Sequence, residues 1–198
     1  KKTIDINKAG IARTFQNIRL FKDQSVLDNV KIGLHNQITY STLTGILRLP
    51  KYHKAEKEMN EKALELLKVF DLEKEADFLA SNLPYGKQRK LEIARALATS
   101  PRILLMDEPF AALDAMTREQ LYQDIQEIHL RCGMTIVFVT HNMREAVCLG
   151  DRVVLLTPHP GRVCEEYFVD FPHPRDINSS DLAALSSRIT RDLKGATA

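Results

Sequence analysis

The feature that most constrains the fold is the stretch at residues 102–114, which reads RILLMDEPFAALD. The four bulky apolar residues at 103–106 predict a short strand buried on both faces of a parallel sheet. Asp107 and Glu108 follow at once, and Pro109 ends the strand. Open α/β sheets bind ligands at the carboxyl edge of their strands, where one acid can lie near a metal ion and the other can orient or deprotonate a water. Taken alone, the pattern is equally consistent with an ordinary strand end that carries two solvated acids.

Composition narrows the class of protein. The 198 residues suit one α/β domain or a little more, and the formal net charge of +2 gives no strong case for nucleic-acid binding. The longest apolar runs are far too short to span a bilayer, so a membrane role is expected to be peripheral. Cys132, Cys148 and Cys164 are widely spaced and odd in number, which favours a reducing compartment over a disulfide framework or a metal site.

Periodicity predicts alternating strands and helices through most of the chain. Ser25 is a candidate N-cap for a helix, and residues 51–70 carry apolar side chains at helical spacing among charged ones. The order of elements predicts parallel pairing through right-handed crossovers. We expect strands at 10–16, 103–106, 134–140 (buried) and 152–156, helices at 51–70, 71–80, 87–99, 117–131, 143–149 and 180–193, and a loop at 81–86.

Five short motifs occur in a fixed order: TFQ at the end of an early strand, LPYGKQRKLEIARAL at residues 83–97, RILLMDEP, AALD and IVFVTH. Together they resemble the Q-loop, signature helix, Walker B strand, D-loop and switch strand of the nucleotide-binding subunit of an ABC transporter. The resemblance implies an α/β fold, a P-loop NTPase-like ABC nucleotide-binding domain. It further implies a helical subdomain, while the N-terminal strands and the Walker A loop of that domain are missing.

The resemblance assigns roles to single residues. Asp107 would support Mg²⁺ through water, Glu108 would polarise the attacking water, and His141 would reach the γ-phosphate of ATP. Gln16 would sense the metal and couple the site to the permease, and Asp114 would lie in the loop that crosses to the partner subunit. These roles match phosphoryl transfer, in which catalysis is mostly positioning and electrostatic stabilisation.

The signature loop is expected to contact ATP held by the other subunit. Its residues here are Pro84, Tyr85, Gly86 and Lys87, where the family usually has SGGQ. Pro84 has neither a hydroxyl nor an N–H, so the usual serine contact cannot be made. The Tyr-Gly form resembles the branched-chain amino acid importer branch. Without the motif, the basic residues at 87, 89 and 90 would be interpreted as a solvated helix face.

A phosphate-cradling GxxxxGK[ST] pattern does not occur in the sequence. The Gly86-Lys87 pair is followed by Gln88, and Ser81 lies five residues before the glycine. We therefore expect a chain truncated before its first residue that cannot bind ATP well alone. The expected divisions are the end of an N-terminal core at 1–16, a helical subdomain at 17–95, an α/β core at 96–157 and a C-terminal extension at 158–198.

Two branches of the family are visible in the sequence. Residues 8–100 resemble branched-chain amino acid importer ATPases, whereas residues from 106 onward resemble nitrate, sulfonate and taurine importer ATPases, so a mosaic joined at 97–106 is expected. The implied function is ATP-driven import by a dimer of such subunits on a permease pair, peripherally attached to the cytoplasmic face of a bacterial inner membrane. Exposed apolar residues such as Leu20 and Phe21 are candidates for the permease contact.

Two alternatives remain open. The first is an ATP-incompetent fragment that acts only as a docking module. The second is an ABC-type ATPase of DNA repair, which would need a long coiled-coil insertion or a strongly basic face. Residues 51–70 are too short for such a coiled coil, and the net charge of +2 is too small for a strongly basic face.

Overall fold

The computed structural model describes residues 3–35, 47–157 and 161–196. Two 3₁₀ turns, Glu73–Glu75 and Ala80–Asn82, interrupt the regular elements. The helices are α1 Thr3–Lys8, α2 Val26–Leu34, α3 Pro50–Val69, α4 Tyr85–Ala98, α5 Ala115–Cys132, α6 Met143–Leu149 and α7 Ser180–Ala196. The strands are β1 Ile11–Arg13, β2 Ile103–Asp107, β3 Thr135–Val139, β4 Arg152–Leu156 and β5 Val163–Phe168.

Contacts divide the chain into two units, which are described separately. Unit 1 comprises Lys1–Thr117 and Met134–Phe138, and unit 2 comprises Arg118–Gly133 and Val139–Ala198.

A sheet of order β1-β2-β3 begins in unit 1. β1 and β2 are parallel, with Ile11 opposite Ile103. On β2, Leu104 and Met106 are buried while alternate residues are only half-buried, so burial on both faces was too strong an expectation. The predicted strand at 134–140 is confirmed as β3. The expectation that it is buried is wrong, since Val137 is 46% and Val139 is 60% exposed.

The helices of unit 1 form a packed layer around α2. Ser25 caps α2 as expected, since its hydroxyl accepts a hydrogen bond from the backbone N–H of Asp28 at 3.0 Å. Val30 of α2 and Leu67 of α3 are fully buried. The predicted amphipathic helix at 51–70 is confirmed as α3.

The predicted helix at 71–80 is wrong. In a helix over 71–80 the carbonyl of Ala76 would accept from the N–H of Ala80, but Ala80 N–H donates to Gln24 O at 3.0 Å instead. Ala76 O accepts from Leu27 N–H of α2 and Phe78 O accepts from Val26 N–H of α2, each at 2.9 Å. These bonds satisfy donors that every helix leaves unpaired at its start. The segment is therefore held in short 3₁₀ turns.

In unit 2, β4 pairs antiparallel with β5, with Arg152 opposite Phe168. The expected parallel pairing of residues 152–156 is thus wrong for this strand. β5 was not predicted, because it lies in a stretch rich in Pro, Gly and His. The predicted helices at 143–149 and 180–193 are confirmed as α6 and α7, which pack together.

A buried arginine fastens the C-terminal segment within unit 2. Arg175 donates to the carbonyls of Gly150 at 2.8 Å and Phe171 at 2.9 Å, and to those of Val147 and Val169 at longer range. Its guanidinium also pairs with Asp151 at 3.1 Å. One side chain therefore ties the end of α6 to the strand-helix connection that follows β5.

No helix in the described residues combines the length and the apolar character needed to cross a membrane.

Candidate functional site

The carboxyl end of β2 carries the two acids that the sequence singles out. Asp107 is the last residue of the strand, and Glu108 follows with φ of +43°. This left-handed conformation costs a residue other than glycine about 1–2 kcal/mol. Both side chains are half-buried. Strained backbone that surrounding structure maintains is found preferentially at functional sites.

Gln16 lies at the same edge of the sheet. Its Nε2 donates to Glu108 Oε2 at 3.3 Å. β1 ends at Arg13, three residues earlier than expected, although Thr14 N–H still bonds to Leu105 O at 2.9 Å. Because β1 and β2 are parallel, the residues that follow each strand meet at one edge, and the structure brings Gln16 and Glu108 together there.

Arg13 is a neighbour that sequence reasoning missed. Its guanidinium Nη2 lies 3.3 Å from Asp107 Oδ2, and solvent reaches both side chains, which are 55% and 41% exposed. An exposed pair of this kind contributes little to stability, typically 0–1 kcal/mol. It does, however, place a positive charge beside the carboxylate that would face a metal.

The donor groups at this edge fit a magnesium ion. Mg²⁺ prefers oxygen ligands, keeps several waters and takes further oxygens from substrate phosphates. Asp107 supplies a carboxylate and Gln16 an amide oxygen. The described part of the chain contains no group of three or more His, Cys, Asp or Glu side chains that could hold a metal by itself.

The signature segment is helical from Tyr85, with exposed Pro84 at the N-cap position, so the predicted loop at 81–86 ends too late. Lys87 forms an ion pair with Glu75. A Cβ on Gly86 would lie 2.6 Å from Thr117 Cγ2, so a side chain at this position would require Thr117 or the start of α4 to shift.

The alternative interpretation of these basic residues, a solvated face on α4, is wrong for two of the three, since Arg89 is 0% exposed and Lys90 is buried. Arg89 Nη1 donates to Glu92 Oε2 at 2.7 Å, and Glu92 is itself 2% exposed. Burial raises the pKa of the Glu92 carboxyl, against the opposing effects of the Arg19 N–H and the Arg89 guanidinium.

Asp114 caps the start of α5. Its carboxylate accepts a hydrogen bond from Thr117 N–H at 3.0 Å. Hydrogen bonds from the Thr117 side chain and backbone lower the pKa of Asp114. The residue is exposed, so its carboxylate is accessible while it caps the helix.

His141 belongs to unit 2 and is exposed. Its two neighbours in sequence, Thr140 and Asn142, form hydrogen bonds with the buried Glu145. Glu145 accepts hydrogen bonds from Thr140 Oγ1 at 2.6 Å, Tyr122 Oη at 2.9 Å and Asn142 Nδ2 at 3.2 Å. Burial raises the pKa of Tyr122, and the Glu145 carboxylate adds to that shift. This network fixes the backbone on both sides of His141, whose reach toward a phosphate stays a prediction.

The residues that sequence reasoning missed left weak signals. Arg89 and Glu92 stand at i, i+3 on α4, a spacing that brings helical side chains together. The same spacing links Asn142 to Glu145. The sequence contains many such pairs, and only the fold shows which of them are buried.

Comparison with known families gives an independent result. Residues 1–111 match the family model described as "ABC transporter". The chain is 35% identical over 151 residues to the high-affinity branched-chain amino acid transport ATP-binding protein LivG of Escherichia coli, covering 76% of this chain and 59% of that protein. It is 39% identical over 157 residues to the taurine import ATP-binding protein TauB of Rhizobium johnstonii, covering 79% and 54%. A third relative, the ABC transporter ATP-binding protein MJ0412 of Methanocaldococcus jannaschii, is 41% identical over 180 residues, covering 91% and 62%.

Solved structures agree with the sequence matches. The ADP conformation of the ATP-binding cassette MJ1267 superposes with a TM-score of 0.70 at 26% identity, covering 98% of this chain and 72% of that one. The dimeric cassette MJ0796 bound to ADP and Pi gives a TM-score of 0.67 at 29% identity, covering 87% and 69%. The chain spans about six-tenths of the length of the curated relatives it matches.

Proposed function

Because the chain belongs to the ABC transporter family, we propose that it is the ATP-binding and ATP-hydrolysing part of a bacterial ABC importer. The observation that supports this most directly is the 3.3 Å contact between Gln16 and Glu108 beside Asp107. The family has α/β cassettes of the kind that this chain superposes on. At this edge of the sheet, the Glu108 carboxylate is available to a water and the Gln16 amide is available to a ligand.

Each proposed role is the one that the family resemblance implies, and the chemistry of the side chain supports it. Glu108 accepts a hydrogen bond from the attacking water and polarises it. His141 donates to the γ-phosphate, and the first-turn N–H groups of α4 from Tyr85 to Lys87 face a phosphate held by a second subunit. Asp114 takes part in the contact with that subunit. In this proposal the two ATP molecules lie between two such subunits.

Asp107 and Gln16 are the residues that would hold Mg²⁺ with the ATP phosphates. When bound, the ion would neutralise charge that develops on the phosphate oxygens. Arg13 competes for Asp107, since its guanidinium Nη2 is 3.3 Å away. Binding of Mg-ATP is thus expected to draw Asp107 from Arg13 toward the metal.

The remaining partners in this proposal are the permease subunits, with the protein held peripherally at the cytoplasmic face of the inner membrane. Phe21, which follows Gln16 closely, is 50% exposed and offers an apolar contact. Leu20, the other candidate for this contact, is half-buried.

The proposed cargo is a branched-chain amino acid or a nitrate- or sulfonate-type anion. Relatives named for branched-chain amino acid transport and for taurine import both match this chain. Each of these matches is long enough to include residues 97–106, where a mosaic junction was predicted. The mosaic stays a prediction. A relative from each branch aligns with this chain across the predicted junction.

A docking role without catalysis is the second candidate, because the 198 residues contain no GxxxxGK[ST] pattern. We propose that turnover needs a phosphate loop supplied from outside these residues. Without a phosphate loop, the signature helix α4 and the exposed side chain of Phe21 would still be available to a partner.

The test compares Mg-ATP binding and hydrolysis by this chain with those of a form extended by an N-terminal segment that carries a phosphate loop. In the extended form, Glu108→Gln should lower kcat by about 10²-fold or more while ATP binding persists, because a positioned proton acceptor contributes 10²–10⁴-fold. Glu58→Gln, a change of the same chemistry at an exposed position on α3, is the matched control and should leave kcat unchanged.

Either of two results would contradict the proposal. Hydrolysis by the extended form that is insensitive to Glu108→Gln would remove Glu108 from its role. An extended form that binds no Mg-ATP would favour the docking role.

A further inference from the structure

A buried ion pair on α4 touches the backbone that carries Gln16. Arg89 Nη1 donates to Phe15 O and its Nη2 to Gln16 O, each at 2.6 Å. The same Nη1 also donates to Glu92 Oε2 at 2.7 Å. A planar guanidinium can hold two neighbouring carbonyls at once, which fixes their orientation as well as their distance.

Glu92 holds the other end of the same segment. Its second carboxylate oxygen, Oε1, accepts a hydrogen bond from Arg19 N–H at 3.1 Å. Arg19 in turn stacks its guanidinium over the Phe15 ring at 4.4 Å, and Arg95 donates to Arg19 O. The backbone from residue 15 to residue 19 is therefore attached at both ends to one face of α4.

Burying the Arg89–Glu92 ion pair carries a desolvation penalty that apolar residues at the same two positions would not have. A fully buried guanidinium and carboxylate lose their hydration, and hydrophobic residues of similar volume are often neutral or stabilising in such a place. A second function beyond stability would account for the choice of charged residues. The polar contacts of both side chains lead to the Gln16 segment or to each other.

We propose that Arg89 and Glu92 are positioning residues that set where Gln16 stands relative to Glu108. The path is continuous: Arg89 holds Gln16 O, and Gln16 Nε2 donates to Glu108 Oε2. A shift of α4 is transmitted through this pair to the amide that contacts the candidate water-polarising acid. The proposal deepens the proposed function and rests on it for its catalytic consequence.

The first test uses the chain itself and needs no activity. The side-chain amide of Gln16 is observed in ¹H–¹⁵N spectra and assigned by its loss in Gln16→Ala. Arg89→Lys keeps the charge but loses the two-carbonyl fork, so the Gln16 amide signal should move, and the Arg19 amide should exchange with solvent faster.

Two further variants separate positioning from stability. Arg89→Met combined with Glu92→Leu removes the pair without leaving a buried charge unpaired, which preserves folding if Arg89→Lys does not. Glu92→Gln keeps the shape of the carboxylate and removes its charge. Lys57→Met, which breaks the exposed Lys57–Glu61 pair on α3, is the matched control and should leave the Gln16 signal in place.

The second test measures turnover in the extended form. Arg89→Lys should lower kcat about tenfold with KM for ATP within about twofold, because displacement of a positioned group by a fraction of an ångström affects the reaction more than binding. In a Gln16→Ala background the same change should cause no further loss, since Arg89 acts through Gln16.

The outcomes are distinguishable from those of the proposed function. A Gln16 amide signal that stays in place in folded Arg89 and Glu92 variants overturns the positioning role, as does a loss of kcat that multiplies with that of Gln16→Ala. If the extended form is inactive altogether, the proposed function fails, while the spectra of the chain still decide on the positioning role.

Discussion

At the scale of single residues, solvent access separates the three cysteines. Cys148 is fully buried on α6, whereas Cys132 and Cys164 are exposed. Burial raises the pKa of the Cys148 thiol to about 11, only partly opposed by the Arg175 guanidinium. The Cys148 Sγ lies 3.5 Å from Arg175 O, which closes the site further.

The reactivity of Cys148 should follow from this burial. Because the thiolate is the nucleophile, a pKa of about 11 leaves about one Cys148 thiol in a thousand ionised at pH 8. Iodoacetamide at pH 8 should therefore alkylate Cys132 and Cys164 and leave Cys148 unmodified, as read by mass spectrometry. Urea should expose all three, and a Cys132→Ser/Cys164→Ser variant isolates the Cys148 signal. Labelling of native Cys148 as fast as the others would contradict its burial.

Residue chemistry was easier to predict than residue burial. The acids Asp107 and Glu108 could be singled out because a short apolar run delivers them at a strand end. The burial of Arg89 could not, because a charged residue on a helix is normally solvated and only the carbonyls of Phe15 and Gln16 show otherwise. Those carbonyls are more than 70 positions away in sequence.

At the scale of elements, the packing of α2 against α4 depends on Gly33. A Cβ at this position would meet Arg95 O at 2.4 Å and Ala98 Cβ at 2.8 Å. The carbonyl belongs to the α4 backbone and has little freedom to move. The two helices can approach this closely only because residue 33 has no side chain.

Gly33→Ala should therefore destabilise the protein by about 1–3 kcal/mol, the usual cost of overpacking. Gly195→Ala on α7 is the matched control, since nothing lies within 4 Å of its added Cβ. That control should be neutral or stabilise the protein by about 0.5–1 kcal/mol, because alanine favours helices over glycine. Urea denaturation followed by circular dichroism measures both, and a Gly33→Ala midpoint equal to that of the parent would refute the close approach.

Elements marked by a cap or a periodic pattern in their own sequence were predicted correctly. Segments whose structure depends on hydrogen bonds to residues far along the chain were not. α2 has its Ser25 cap, and α3 has its apolar spacing, both visible in the sequence. The helix at 71–80 was predicted wrongly because carbonyls of this segment bond to the start of α2, and β5 was missed because its pairing with β4 forms only in the fold. Hydrogen bonds between elements therefore decided the structure of both segments.

At the scale of the whole molecule, the C-terminal segment is an integral part of unit 2. Arg175 reaches four carbonyls and Asp151, and Leu182 and Ile189 of α7 are buried. Unpairing that arginine would leave buried carbonyls without donors, at about 1–3 kcal/mol for each such group. The fold of α6 thus depends on residues that follow β5.

Truncation after Asp170 should therefore open the site of Cys148. The deletion removes Arg175 and α7, so α6 loses both its hydrogen-bond donor and its apolar cover, and iodoacetamide at pH 8 should now label Cys148. The loss of helical circular dichroism should also exceed what α7 alone accounts for, because α6 frays with it. Truncation after Leu193 keeps Arg175, Leu182 and Ile189 and should leave Cys148 protected. If the longer deletion also left Cys148 unlabelled, the cover of α6 would not depend on the C-terminal segment, and the burial of Cys148 would have to come from α5 and α6 themselves.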